Sequence, residues 1–251
     1  MPMLNGMQDL RFNSSDTLAR QLAGDLATRL QRCIERRGRV CLAVSGGKTP
    51  VGFFQQLAQQ QIDWQKVLIT LVDERWVDEH APQSNAALVR EHLLQHQAAQ
   101  AYFLPLKNKA ASPQQGFMDC ENTLHEQIDQ LDYAVLGMGS DGHTASWFPH
   151  SQALPRCLDG NSGAWCCPVS DEQVTPPRMT LTWSLLANCR HLFLLFDGDD
   201  KNRVFSLACD AAEAGNTAAM PVRRVLFQSQ VGLSVYRREN LHGEPDAPLT
   251  A

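Results

Sequence analysis

At 251 residues, 43% hydrophobic and 20% charged, the chain has the size of one large α/β domain or two small ones and the composition of a soluble globular protein. Its formal net charge of −5 argues against a general polyanion binder, because nucleic-acid domains carry a strongly basic face; a small phosphorylated ligand needs only a few local cations. No apolar run approaches the roughly 18 residues that span a bilayer, and the N-terminus lacks the basic-then-apolar order of a secretion signal. A cytoplasmic protein, monomer or weak dimer, with no nucleic-acid and no membrane partner is expected.

In chain order, Asp9–Asn13 reads as a short edge strand, and Ser14, Ser15 and Asp16 supply helix N-caps. From Thr17 to Arg37, Leu18, Leu22, Leu26, Leu30, Cys33 and Ile34 recur at helical spacing, and Gly38 is placed to end that helix. Val40–Val44 is a continuous apolar run of strand length, as in a strand covered on both faces. After Ser45-Gly-Gly-Lys-Thr-Pro50 comes a helix at 51–61, with Pro50 suited to its first turn. A second buried strand spans 66–72. Helices at 85–97 and 113–130 enclose a strand at 102–106, and a further strand follows at 132–136. Past Pro149 a stretch rich in proline, glycine and serine is expected to be irregular, with a short strand near 165–169. Strands at 178–182, 191–196 and 231–236 and helices at 183–189 and 201–212 complete the pattern. Residues 239–251, polar and proline-bearing, are expected to form a loose tail.

Strands alternating with long helices imply parallel pairing through right-handed crossovers. The expected fold is α/β: a single doubly wound domain with a mainly parallel sheet flanked by helices (Rossmann-like) and an irregular insertion after residue 149. The eight cysteines include no Cys-x-x-Cys pair. Cys33, Cys41, Cys189 and Cys209 lie in apolar segments, as buried free thiols in a reducing compartment would.

Three strand ends carry candidate chemistry. Ser45, Gly46 and Gly47 stand between a buried strand and a helix start, where backbone N–H groups can face an anion; the Walker A spacing is absent, which disfavours a nucleotide triphosphatase. Asp73-Glu74-Arg75 follows the second buried strand. It reads either as a solvated loop with a surface ion pair or as three charges facing the crevice, with Arg75 able to bind phosphate or carboxylate and Asp73 able to accept sugar hydroxyls or hold Arg75. The third is Leu136-Gly-Met-Gly-Ser-Asp-Gly-His-Thr-Ala-Ser-Trp-Phe-Pro149. Its glycines allow a sharp turn and close approach to a ligand, and His143 is the residue type that exchanges protons near neutrality. The glycine spacing approaches a dinucleotide fingerprint, but His143 occupies the place of its small-residue helix start. The plain alternative is a turn aspartate, Asp141, beside a structural histidine. No Gly-x-Ser-x-Gly elbow and no paired histidine spacing supports triad or metal chemistry, so neither metal nor cofactor is expected. Arg178 and Lys201 are isolated cations that by themselves read as surface charges.

Taken together, these segments with Ser84-Asn85, Pro177-Arg-Met-Thr-Leu-Thr182 and Gly198-x-x-Lys201 resemble the 6-phosphogluconolactonase family, in order from about residue 40 to about 205. The wider superfamily includes glucosamine-6-phosphate deaminases, ribose-5-phosphate isomerases and sugar-sensing regulator domains. Arg75 and Thr144-Ala-Ser-Trp-Phe-Pro149 follow the lactonase pattern rather than the deaminase one. The resemblance implies hydrolysis of 6-phospho-D-glucono-1,5-lactone to 6-phosphogluconate in the pentose phosphate pathway. It makes His143 the general base, with Asp141 biasing its imidazole or touching substrate. Ser45, Gly46, Gly47, Asp73, Arg75, Arg178 and Lys201 would hold the phosphate and the ring, and the backbone near Gly139 is the expected oxyanion donor. A deaminase or sugar-phosphate isomerase of the superfamily, or a non-catalytic sugar-phosphate sensor, is the alternative. Two departures stand out: Lys48 replaces a small hydroxyl residue, and Trp147 replaces leucine. The segment after Val231 also lacks the ending common in relatives.

Overall fold

The computed structural model describes residues 6–239 and the backbone of 249–250. The strands are β1 (Gln8–Phe12), β2 (Val40–Val44), β3 (Val67–Leu71), β4 (Asp73–Arg75), β5 (Tyr102–Leu104), β6 (Tyr133–Gly137), β7 (Cys166–Val169), β8 (Arg178–Leu181), β9 (His191–Asp197), β10 (Gly232–Arg238) and β11 (Leu249–Thr250). The helices are α1 (Ser15–Arg37), α2 (Pro50–Leu57), α3 (Asn85–His92), α4 (Pro113–Gln127), α5 (Leu154–Leu158), α6 (Trp183–Leu186), α7 (Asp199–Ala208) and α8 (Arg223–Leu226).

Eight strands form the main sheet in the order β11-β1-β10-β9-β6-β2-β3-β5, all parallel except β11. This is the expected doubly wound α/β arrangement. From β2 the chain steps through β3 to β5 on one side, then returns through β6, β9 and β10 on the other. The order therefore reverses between β2 and β6, and the crevice beyond their carboxyl ends is where open α/β sheets take ligands. The continuous apolar reading of Val40–Val44 is explained by burial of all five residues.

Helix α1 covers one face because Leu18, Leu22, Leu26, Leu30 and Ile34 all point inward, each contributing roughly 1.5–3 kcal/mol on burial. Its ends match the sequence: Ser14 Oγ accepts from the Thr17 N–H, and Gly38, at φ 81°, donates its N–H to Ile34. All eight cysteines are free thiols, and seven are buried; Cys209, expected to be buried, is only partly so.

Several expectations are corrected. Helices α2, α3 and α4 stop earlier than the apolar periodicity suggested, at Leu57, His92 and Gln127. Beyond α3 the backbone turns at His96, which adopts φ 50°, a conformation that ends helical winding. Helix α7 starts at Asp199 rather than 201, with Asp199 and Asp200 in the first turn, where carboxylates favour the helix dipole. The segment after Pro149 is less irregular than expected: β8 pairs with both β7 and β4 in a separate antiparallel sheet, β4-β8-β7. Strand β1 is not an edge, because Leu10 and Arg11 pair with Thr250 and Leu249. The rest of the expected tail, 240–248 and Ala251, lies outside the described residues.

The amino end of the sheet is tied by Asp132, whose side chain is only 1% exposed. Its carboxylate accepts from Arg37, from Arg190 Nε at 2.8 Å and from the Cys41 N–H at 2.9 Å. One anion thus joins the end of α1 to β2, β6 and the entry to β9.

At the same end, His191 packs its ring on Phe193 and pairs Nε2 with Ser234 Oγ at 2.8 Å. Burial, and then the charge of Arg29, push its pKa down to about 4. The folded state holds this ring neutral, whereas the unfolded chain protonates it near 6.5. Its contribution is complete above about pH 6.5 and is lost as pH falls toward 4. Thermal melts at pH 7 and 4.5 are expected to show a smaller acid loss of Tm for His191→Gln than for the wild type.

Candidate active site

At the carboxyl end of β2 the chain bends across to β6. Ser45 donates its N–H to Val135 O at 3.0 Å, and its Oγ accepts from the Gly137 N–H at 3.1 Å. This pair of hydrogen bonds closes the switch point and sets Gly46, Gly47 and Lys48 over the crevice before α2 begins. Gly46 is required by close approach: a Cβ there would lie 1.9 Å from Asn85 Oδ1.

Asp73, Glu74 and Arg75 form β4 rather than a loop. Glu74 does not face the crevice. Its carboxylate is 1% exposed and accepts from the N–H groups of Arg75, Asn85 and Ala86 and from Ser84 Oγ, at 2.7–3.1 Å. It therefore closes the first turn of α3, a packing role that the sequence reading did not foresee. Burial raises the Glu74 carboxyl above its ordinary range, against the pull of these four donors.

Asp73 does not hold Arg75. One carboxylate oxygen accepts from Ser146 Oγ at 2.5 Å, and Asn85 Nδ2 donates to the Asp73 carbonyl at 2.8 Å. Arg75 is tethered instead by Nη1 to Gln83 O at 2.7 Å. Directly opposite on the ladder is Arg178, with Nη1 on Pro176 O at 2.5 Å. Burial, then the neighbouring Arg75 charge, lower the Arg178 pKa, against Asp73 and Glu74. Like charges facing each other across two strands are unfavourable, so this pair favours an anion beside it.

The loop after β6 winds tightly on itself. Gly139 N–H donates to His143 O at 2.8 Å, and Gly142 N–H to Gly139 O at 3.1 Å. Within the glycine-rich backbone expected to supply the oxyanion donor, the Gly139 N–H itself is engaged inside the loop. A Cβ at residue 139 would lie 2.2 Å from the His143 ring. The missing methyl is what admits the imidazole. Asp141 Oδ1 accepts from the His143 N–H at 3.1 Å and meets Nδ1 at 2.5 Å. A carboxylate only accepts, so the Nδ1 proton points to Asp141 and Nε2 is left for chemistry. Burial would raise the Asp141 pKa, but the bonds and charge of His143 outweigh it and hold the carboxyl below its ordinary value. Beneath the loop, Trp147 is fully buried, donates Nε1 to Leu181 O at 2.9 Å and meets Trp183 edge-on at 6.4 Å. The larger ring therefore anchors the loop to β8.

These parts surround a cleft of about 230 Å³ whose wall includes Ser45, Gly46, Gly47, Asp73, Arg75, His143 and Lys201. Lys201 reaches it from the first turn of α7; burial lowers its pKa, opposed by Asp197. Arg178 and Asp141 are not in the wall and act on it through Arg75 and His143. The sequence reading missed Ser146, which resembles any loop serine, and gave no role to Asn85, whose place at a helix start reads as capping. Among the described residues, no group of three or more His, Cys, Asp or Glu is placed to hold a metal ion.

Residues 13–233 match the glucosamine-6-phosphate isomerase/6-phosphogluconolactonase family. The chain belongs to that family. A 6-phosphogluconolactonase of Mesorhizobium japonicum is 41% identical over 86% of this chain and 88% of its own length. One of Rhizobium meliloti is 38% identical over 90% of this chain and 96% of its own. Among solved structures, a Shewanella baltica 6-phosphogluconolactonase superposes with TM-score 0.89 at 38% identity, covering 94% of this chain and 100% of that one. A monomeric glucosamine-6-phosphate deaminase, at 16% identity and TM-score 0.73, shares the fold. The switch-point cleft is the place where this chain's polar residues converge.

Because Glu74 satisfies three backbone donors, Glu74→Ala is expected to destabilise the protein by about 3 kcal/mol, the cost of stranding buried donors. Urea unfolding followed by circular dichroism measures it; a loss below about 1 kcal/mol contradicts the role.

Proposed function

We propose that the chain, as one domain, hydrolyses 6-phospho-D-glucono-1,5-lactone to 6-phosphogluconate, the second step of the oxidative pentose phosphate pathway, with His143 as general base. The observation that carries this reading is the 2.5 Å contact between Asp141 and His143 Nδ1, which presents Nε2 in a cleft also lined by Arg75 and Lys201. Curated relatives with the lactonase name, 38–41% identical over most of the chain, support the activity. Arg75 and Thr144–Pro149 follow the lactonase pattern rather than the deaminase one.

His143 Nε2 takes a proton from water as the water oxygen attacks the lactone carbonyl. The imidazolium that forms is stabilised by Asp141. When the tetrahedral intermediate collapses, the bond from C1 to the ring oxygen breaks, and the imidazolium returns its proton to that oxygen. A lactone is an activated ester, so one base and firm positioning suffice without a covalent nucleophile. Positioning comes from the loop Ser45–Gly47 with Arg75 and Lys201 around the phosphate, from Arg178 opposite Arg75 on the ladder, and from Asp73 accepting sugar hydroxyls. The net charge and the lack of a helix able to cross a membrane among the described residues support a cytoplasmic setting.

Acid release from freshly made lactone tests the assignment. His143→Ala is expected to lose about 10²–10⁴ in kcat, whereas Arg178→Ala and Lys201→Ala mainly raise KM. A wild-type rate no faster than spontaneous hydrolysis refutes the activity, and unchanged kcat in His143→Ala refutes the base.

A further inference from the structure

Lys48 sits in the loop that carries Ser45, Gly46 and Gly47, yet the chemistry above gives it no task. Its side chain lines the cleft and is exposed. Among the described residues it makes no hydrogen bond or ion pair. The other cations of the site differ: Arg75 is bonded to Gln83 O and Arg178 to Pro176 O, and Lys201 is half-buried near the Asp197 charge. Among the cations of the cleft wall, Lys48 is the exposed one.

The surroundings make that exposure consequential. The protein as a whole carries −5, and Asp73 in the cleft wall adds local negative charge. A phosphate dianion entering from solvent meets a molecule of net negative charge at long range and the cations Lys48, Arg75 and Lys201 in the cleft wall. A cation in the wall of a concave, low-dielectric opening acts on such a ligand more strongly than one on a flat surface, because the cleft focuses its field. The effect falls once ionic strength brings the screening length near 8 Å.

We propose that Lys48 is a capture and selectivity residue: it draws the phosphate of the substrate into the cleft and so favours phosphorylated over unphosphorylated lactones. This rests on the lactonase reading above. Lys48 takes no part in the bond-breaking steps, so its effect falls on kcat/KM and depends on salt.

The test compares wild type, Lys48→Met and Lys48→Arg on 6-phosphogluconolactone and on unphosphorylated glucono-1,5-lactone, at low salt and at high salt. Lys48→Met is expected to lose about three- to tenfold in kcat/KM on the phosphorylated lactone at low ionic strength. The loss should shrink at high salt, be absent with the unphosphorylated lactone, and be restored in Lys48→Arg. An equal loss on both lactones, a loss indifferent to salt, or no loss overturns the proposal. Calorimetric binding of 6-phosphogluconate separates it from the activity itself. If the wild type binds this ligand in a salt- and Lys48-dependent way without hydrolysing lactone, the capture role stands and the lactonase reading falls. Affinity unaltered by Lys48→Met overturns the capture role.

Discussion

The site depends on one buried carboxylate. Asp73 receives the Ser146 hydroxyl from the histidine loop, while its own carbonyl receives the Asn85 amide from the start of α3. Asn85 in turn fills the space that the missing side chain of Gly46 leaves open. Three loops from different parts of the chain are thereby fixed against one another through a single residue of β4. None of these contacts is strong enough alone to define a site; their convergence removes the independent motion that three surface loops would otherwise have.

The same logic explains why the two ends of the sheet differ. At the amino end, Asp132 gathers two arginines and a backbone N–H and leaves no polar group over. At the carboxyl end the polar groups are only partly engaged with one another. His143 keeps Nε2, and Arg75 keeps a buried Nε without a partner. Stability is concentrated where the chain enters the strands, and reactivity where it leaves them.

Much of this was legible from sequence because the signals were local. Val40–Val44, the α1 stripe with its Ser14 and Gly38 caps, and the glycine-histidine loop each declare themselves within a few residues. Helix lengths were overestimated where apolar periodicity ran on past the last helical turn, as after His92. What stayed hidden was long-range. The pairing of β4 with β8 joins residues about a hundred positions apart, and no short pattern signals it. For the same reason Glu74 looked like a companion of Asp73 and Arg75 when its partners are the N–H groups of α3. Alternation along a strand sends neighbours to opposite faces, so three adjacent charges do not share one task. The engagement of the Gly139 N–H within its own loop was equally invisible, because it depends on how the turn closes.

The opposed residues Arg75 and Arg178 give the edge of the cleft a different character from the rest of the molecule. Elsewhere opposite charges meet; here the ladder register sets two like charges side by side. Such a pair is a local conflict in an otherwise consistent structure, and an anion resolves it. An anion beside them would complete an electrostatic arrangement that the polypeptide, by its own register, leaves unbalanced.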